Sequence, residues 1–198
     1  MFLVLTTPST SNTIYTDEFG IPQYQVDTRA TRTSRATSIQ RVLRREATAF
    51  DVFALNVPRA STQDVATIRW NLVHSTVVTF ANDNVDHKAK TWLRHEDVQH
   101  GLSLHVLTAR DGNEYRWSQD RETGLLQLRT TDAEEALVAC FHKKHVFPEF
   151  LPNRPLAALE VLDGFERMVD EILVTFIYVD NRRHKSPSRS PSPRSNSA

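Results

Sequence analysis

Residues 165–179 hold the one long stretch whose apolar residues repeat at helical spacing. Phe165, Met168, Val169, Ile172, Leu173, Phe176 and Ile177 follow an i, i+3, i+4, i+7 series for more than three turns. Val174 and Val179 widen the stripe, so the second half is apolar on nearly every side. A helix of that kind has to be enclosed. Its β-branched residues lower helix propensity, which leaves a strand over residues 172–179 as the alternative.

The rest of the chain reads with period two. Ala66, Ile68, Trp70 and Leu72 alternate with Thr67, Arg69 and Asn71. Tyr24/Val26, Phe53/Leu55/Val57, Leu102/Leu104/Val106 and Leu126/Leu128 alternate with polar or small neighbours in the same way, and residues 137–142 are apolar on both faces until their end. Asp111-Gly112 between two such runs is a hairpin signature. Glu18-Phe19-Gly20 and Glu122-Thr123-Gly124 mark two more turns. About ten to twelve strands result, spaced as a barrel or sandwich spaces them. Residues 28–37 and 58–64 read as loops. Residues 82–101 read as a long loop or as one short helix near 88–94.

A chain of 198 residues suits one domain. Its 24 Lys and Arg balance 24 Asp and Glu, but unevenly. Arg182, Arg183, Lys185, Arg189 and Arg194 stand in a final stretch with no acid, so residues 1–181 are net acidic and residues 182–198 net basic. That stretch has almost no apolar residue, and it is expected to be a disordered Ser/Pro/Arg-rich tail behind a domain at 1–181. Ser186, Ser190 and Ser192 each precede a proline, a pattern suited to phosphorylation, and three phosphates would roughly cancel the tail's charge. The apolar start at Met1 to Leu5 is too short for a signal segment, and no run reaches the ~18 residues of a membrane span. An intracellular, cytoplasmic domain is the expectation, with a peripheral membrane or nuclear location as alternatives.

Little chemistry is written in the sequence. No nucleophile-elbow, phosphate-loop, dinucleotide or zinc-protease motif occurs, and there are five glycines. The single cysteine, Cys140, heads a Cys-x-His-x-x-His series with His142 and His145, but no fourth ligand is obvious, so no metal is expected. His95, His100 and His105 read as loop and strand-edge residues. Glu134-Glu135 and Asp170-Glu171 are adjacent and point apart, which makes poor acid–base pairs. Trp70 and Trp117 sit at core parity. Trp92 stands between Lys88, Lys90 and Arg94, and these four form a candidate surface for a lipid headgroup or phosphate. Lys143-Lys144 beside His142 and His145 is a second basic spot. No cofactor is implied.

Several segments together resemble a fungal domain-of-unknown-function family of the tubby-like superfamily, which includes LURP-one-related proteins and phospholipid scramblases. The pieces are Asp17-Glu18-Phe19-Gly20 with Tyr24, then Ala66-Thr67-Ile68-Arg69-Trp70, Asp111-Gly112-Asn113-Glu114-Tyr115-Arg116-Trp117 and Ala139-Cys140-Phe141-His142-Lys143. Leu159-Glu160-Val161, leading into Asp170-Glu171-Ile172-Leu173-Val174-Thr175-Phe176-Ile177-Tyr178-Val179, completes the set. The resemblance implies a mainly β fold: a closed antiparallel barrel of about twelve strands around a hydrophobic C-terminal helix. It implies no established activity.

The expected function is therefore a non-enzymatic interaction or regulatory scaffold, with an unknown protein partner and a phosphorylated tail. The alternative is a membrane-surface module binding an anionic lipid or phosphoinositide. A dedicated nucleic-acid reader is disfavoured by the acidic body. An enzyme or small-ligand carrier would need a cavity where the helix is expected. A monomer is expected.

Overall fold

A computed structural model describes residues 1–43, 61–71, 75–98, 102–146 and 155–185. The chain is mainly β. Thirteen strands form one antiparallel sheet among the described residues. The N-terminal half supplies β1 (Phe2–Leu5), β2 (Thr13–Thr16), β3 (Pro22–Ala30), β4 (Arg35–Leu43), β5 (Ser61–Trp70), β6 (Val77–Phe80) and β7 (Asp86–Lys88). The other half supplies β8 (Leu93–Val98), β9 (Leu102–Thr108), β10 (Glu114–Gln119), β11 (Leu126–Thr130), β12 (Leu137–Val146) and β13 (Pro155–Val161). Each half is a meander, and β1 joins them by pairing with both β2 and β13. The N-terminal amine also donates to the Val161 carbonyl at 2.7 Å.

The ladder does not close, which corrects the expected twelve-stranded barrel. Its two ends are β7 and β8, and they are not hydrogen-bonded to each other. They are joined instead by α1 (Ala89–Trp92), a single helical turn. Four residues of helix rise only about 6 Å, so the sheet curls until its ends are near. The end strand β7 is three residues long and carries the polar sequence Asp86-His87-Lys88, which gives it few groups for a further ladder. The short helix expected near residues 88–94 is present as α1, flanked by β7 and β8, so the described part of residues 82–101 is not one long loop.

The segment with the helical stripe is indeed a helix. A 3-10 turn (Glu166–Met168) leads into α2 (Val169–Lys185). The strand alternative for residues 172–179 is excluded, and the helix runs past 179 into the first residues assigned to the tail. Enclosure overrides the weak helix propensity of its β-branched residues. Ile172, Leu173, Val174, Thr175, Phe176, Ile177 and Val179 are all at most 1% exposed, so every side of α2 is covered. Contacts arrive from around the sheet. Trp70 of β5 stacks on Tyr178, 3° from parallel, and His105 of β9 meets the same ring edge-on. Trp117 of β10 and Phe141 of β12 flank Phe176. Each large apolar side chain buried there contributes roughly 1.5–3 kcal/mol.

Both of these buried indole groups find a threonine. Trp117 Nε1 donates to Thr175 Oγ1 at 2.9 Å, and Trp70 Nε1 to Thr37 Oγ1 at 2.8 Å. The Asp111-Gly112 hairpin forms between β9 and β10, with Gly112 at φ +83°. The loops expected at 28–37 and 58–64 are shorter than the sequence suggests. β3 and β4 run to Ala30 and from Arg35, and β5 starts at Ser61. These ends are polar because ladder bonds, not burial, hold them extended. The strand expected around Phe53 lies outside the described residues.

Candidate functional site

The interior is filled by α2, so a site has to lie outside it. At the N-terminal end of α2 the curled sheet leaves a cleft of about 440 Å³. β4 contributes Arg41, β5 contributes Gln63, Asp64 and Val65, and β6 with its following turn contributes Phe80, Ala81 and Asn82. Arg110 enters from the β9–β10 hairpin, and Asp170 from the first turn of α2.

Two half-exposed guanidinium groups dominate it. Arg41 lies over the Tyr24 ring at 5.7 Å, and its Nη2 donates to Asp170 Oδ1 at 2.7 Å. Tyr24 donates to the same oxygen at 2.7 Å. Burial, and then Asp170, raises the Tyr24 phenol well above its usual range. Arg110 lies over the Phe80 ring at 4.5 Å. Its Nη2 donates to Asn82 Oδ1 at 2.7 Å and sits 3.4 Å from Asp83. Its Nε is 3.6 Å from Glu171. Glu171 is 7% exposed, and burial raises its pKa against the pull of Arg110. Asp64 accepts from Gln40 at 2.7 Å. Arg41 Nη1 and Arg110 Nη1 keep donors without a partner among the described residues. The cleft is therefore lined by two guanidinium groups and two carboxylates, Asp64 and Asp170, with Phe80 beside them, while Asp83 and the buried Glu171 pair with Arg110.

The sequence-predicted cluster is not brought together as expected. Lys88 and Lys90 are exposed at the β7–α1 junction. Trp92 turns inward and packs edge-on against Phe80, centroids 5.4 Å apart. Arg94 pairs across the sheet with Glu114 at 2.6 Å. The strand–turn–strand path sends alternate side chains to opposite faces. Trp92 thus packs nearly perpendicular to Phe80, the same ring that Arg110 covers. Ser186, Ser190 and Ser192 lie outside the described residues.

The other candidates are structural or separate. Cys140 is buried, and burial, then Glu160, raises its thiol pKa. His142 Nε2 lies 2.8 Å from Glu160, and His145 stacks on Phe2. Among the described residues no group of three or more His, Cys, Asp or Glu is placed to hold a metal ion. His105 is buried, and burial followed by the charges of His95 and Arg182 pulls its pKa down to about 4. His100 lies outside the described residues. Glu135 pairs with Arg116, and Lys143 and Lys144 are exposed. No described helix is long and apolar enough to cross a membrane.

Sequence reasoning missed Arg41, Gln63, Asn82 and Arg110. Three of them come from separate strands or turns of the first meander and the fourth from a hairpin of the second. Only Arg110 carried a nearby signal, the Asp111-Gly112 turn.

A family model described as a family of unknown function (DUF6593) matches residues 7–185. The chain belongs to that family. No curated protein and no solved structure matches it.

Proposed function

We propose that this DUF6593 chain is a non-enzymatic interaction module, an intracellular scaffold that holds a protein partner in the cleft at the N-terminal end of α2. The observation that carries the reading is the cleft's charge pattern. Arg41 and Arg110 share the rim with Asp64 and Asp170, and Asp83 and Glu171 pair with Arg110, so the rim carries both signs of charge. A polypeptide supplies donors, acceptors and both signs of charge, and so matches such a rim. A polyanionic headgroup would face Asp64 and Asp170 beside the two arginines, both of which already hold carboxylate partners. No residue of the cleft is arranged as nucleophile and base, so binding is the role assigned to it.

The finer architectural reading is tubby-like. It rests on an antiparallel sheet curled around a C-terminal hydrophobic helix, and the open β7–β8 seam is where this chain departs from a closed barrel. In this reading the basic tail, with Ser186, Ser190 and Ser192, regulates binding through phosphorylation.

The membrane-surface reading keeps Lys88 and Lys90, which are exposed close together at one end of the sheet. Vesicle co-sedimentation of residues 1–198 decides between the two. Vesicles of neutral lipid, with and without phosphoinositide, are compared from low salt to ~0.15 M. The expected result is no headgroup-selective pelleting at ~0.15 M salt. Selective pelleting that disappears in K88S/K90S would replace the scaffold reading with the lipid one.

A further inference from the structure

His105 is the imidazole through which β9, next to the open seam, packs on α2. It is 7% exposed, and its Nδ1 is buried with no hydrogen-bond partner. Tyr178 of α2 meets the ring edge-on at 6.2 Å, and Trp70 of β5 stacks on the same tyrosine at 5.7 Å. The register partners of His105 are Trp117 of β10 on one side and His95 of β8 on the other. The His95 ring stands 5.0 Å away. The charges that act on His105 are those of His95 and of Arg182 on α2, both basic. Asp180, the nearest acid along α2 from Tyr178, accepts from Thr10 at 2.8 Å.

While neutral, the ring is one more aromatic member of the core. A proton changes that. Both nitrogens become donors, Nδ1 has no acceptor, and a positive charge stands in an apolar setting beside two bases. The strands have a way out. β8 is an end strand hydrogen-bonded to β9 and not to β7, so β8 and β9 can swing from α2 by straining the β9–β10 ladder alone. We propose that His105 is an acid-sensitive latch, whose protonation releases β8 and β9 from Tyr178 and widens the seam between β7 and β8. In the packed state His105 holds its proton only below a pKa of about 4, against 6.5 when exposed. The open state binds more protons between those values, so the latch is at full strength above pH 6.5 and is lost as pH falls towards 4. From pH 7.5 to pH 5 the opening equilibrium should rise about thirtyfold. The inference does not depend on what occupies the cleft.

The test is hydrogen exchange of residues 1–198 at pH 7.5 and pH 5, read by mass spectrometry and corrected for the pH dependence of the chemical step. Peptides from β8 and β9 should lose about thirtyfold in protection at pH 5, and peptides from β12 and β13 should keep theirs. H105F keeps a ring that takes no proton, and its β8–β9 protection should be the same at both pH values. H105Q serves if H105F does not fold. An NMR titration of the His105 ring in the unaltered chain stands free of any variant: the ring should take its proton only as β8–β9 protection falls. Protonation near pH 6.5 with protection intact overturns the inference. So does an equal acid loss in the unaltered chain and the variant, or a loss spread evenly over all strands.

Discussion

Replacing Thr175 by valine removes one oxygen from the centre of the molecule and almost no volume. Thr175 is 0% exposed on α2, and its Oγ1 accepts the Trp117 indole N–H at 2.9 Å. The same hydroxyl donates back to the helix, with the Glu171 carbonyl at 2.8 Å and that of Ile172 at 3.0 Å. Valine keeps the β-branch, so helix propensity changes little. No cavity opens. The helix carbonyls keep their own backbone donors, so their loss is minor. The indole N–H, in contrast, is left without an acceptor in a site with no water access, since Trp117 is also 0% exposed. An orphaned buried donor costs about 1–3 kcal/mol, so T175V should cost ~2 kcal/mol. For a chain of this size that is a fall in Tm of about 4–8 °C. Urea melts should show a lower midpoint with an unchanged slope. T175S, which keeps the acceptor, should lose less than T175V. In a cycle with W117F, the double variant should be more stable than the sum of the single losses, because both partners have gone. A T175V loss under ~0.5 kcal/mol, or an additive cycle, would refute the claim that this bond pins α2 to β10.

Other outcomes follow from single positions. Gly112 holds φ +83° with nothing within 4 Å of the place a Cβ would take, so G112A should cost ~1–2 kcal/mol through backbone strain alone, and G112N less, as urea melts will read. All four tyrosines have raised pKa values, with burial the first cause for each and Tyr115 reaching about 12. The unfolded chain releases these protons near pH 10 and the folded chain later, so their contribution is whole below pH 10 and is lost as pH rises beyond it. Absorbance at 295 nm should show tyrosinate appearing together with unfolding, not before it. Cys140, buried with a raised thiol pKa, should react with a thiol reagent only after denaturation. Fast labelling of the folded chain would contradict its placement.

What is legible in the sequence is local. The α2 segment announces itself because its apolar stripe is contiguous, and the β9–β10 hairpin because Asp-Gly favours one turn geometry. Strand parity assigns Trp70 and Trp117 to the core, and both are there. The open seam is not legible, since whether β7 bonds to β8 depends on the curl accumulated over thirteen strands. Arg41 is hidden for the same reason. It looks like an outward residue of a polar strand, yet the curl brings it to Asp170, far away in sequence. Lys88, Lys90, Trp92 and Arg94 mislead in the opposite sense. They are close in sequence, but a strand–turn–strand path turns Trp92 inward and leaves Arg94 to Glu114.

The central claim is that the mouth bounded by Arg41 and Arg110 is where a partner sits. The direct measurement places a photo-crosslinking residue at Gln63, inside the cleft, in residues 1–198 expressed in cells. A matched chain carries it at Gln119, at the far end of β10 from the Arg110 hairpin. The account predicts a discrete protein adduct from Gln63 that is absent from Gln119. R110E should abolish it, and K88S/K90S should not. The same adducts from both positions, or a Gln63 adduct untouched by R110E, would contradict the claim.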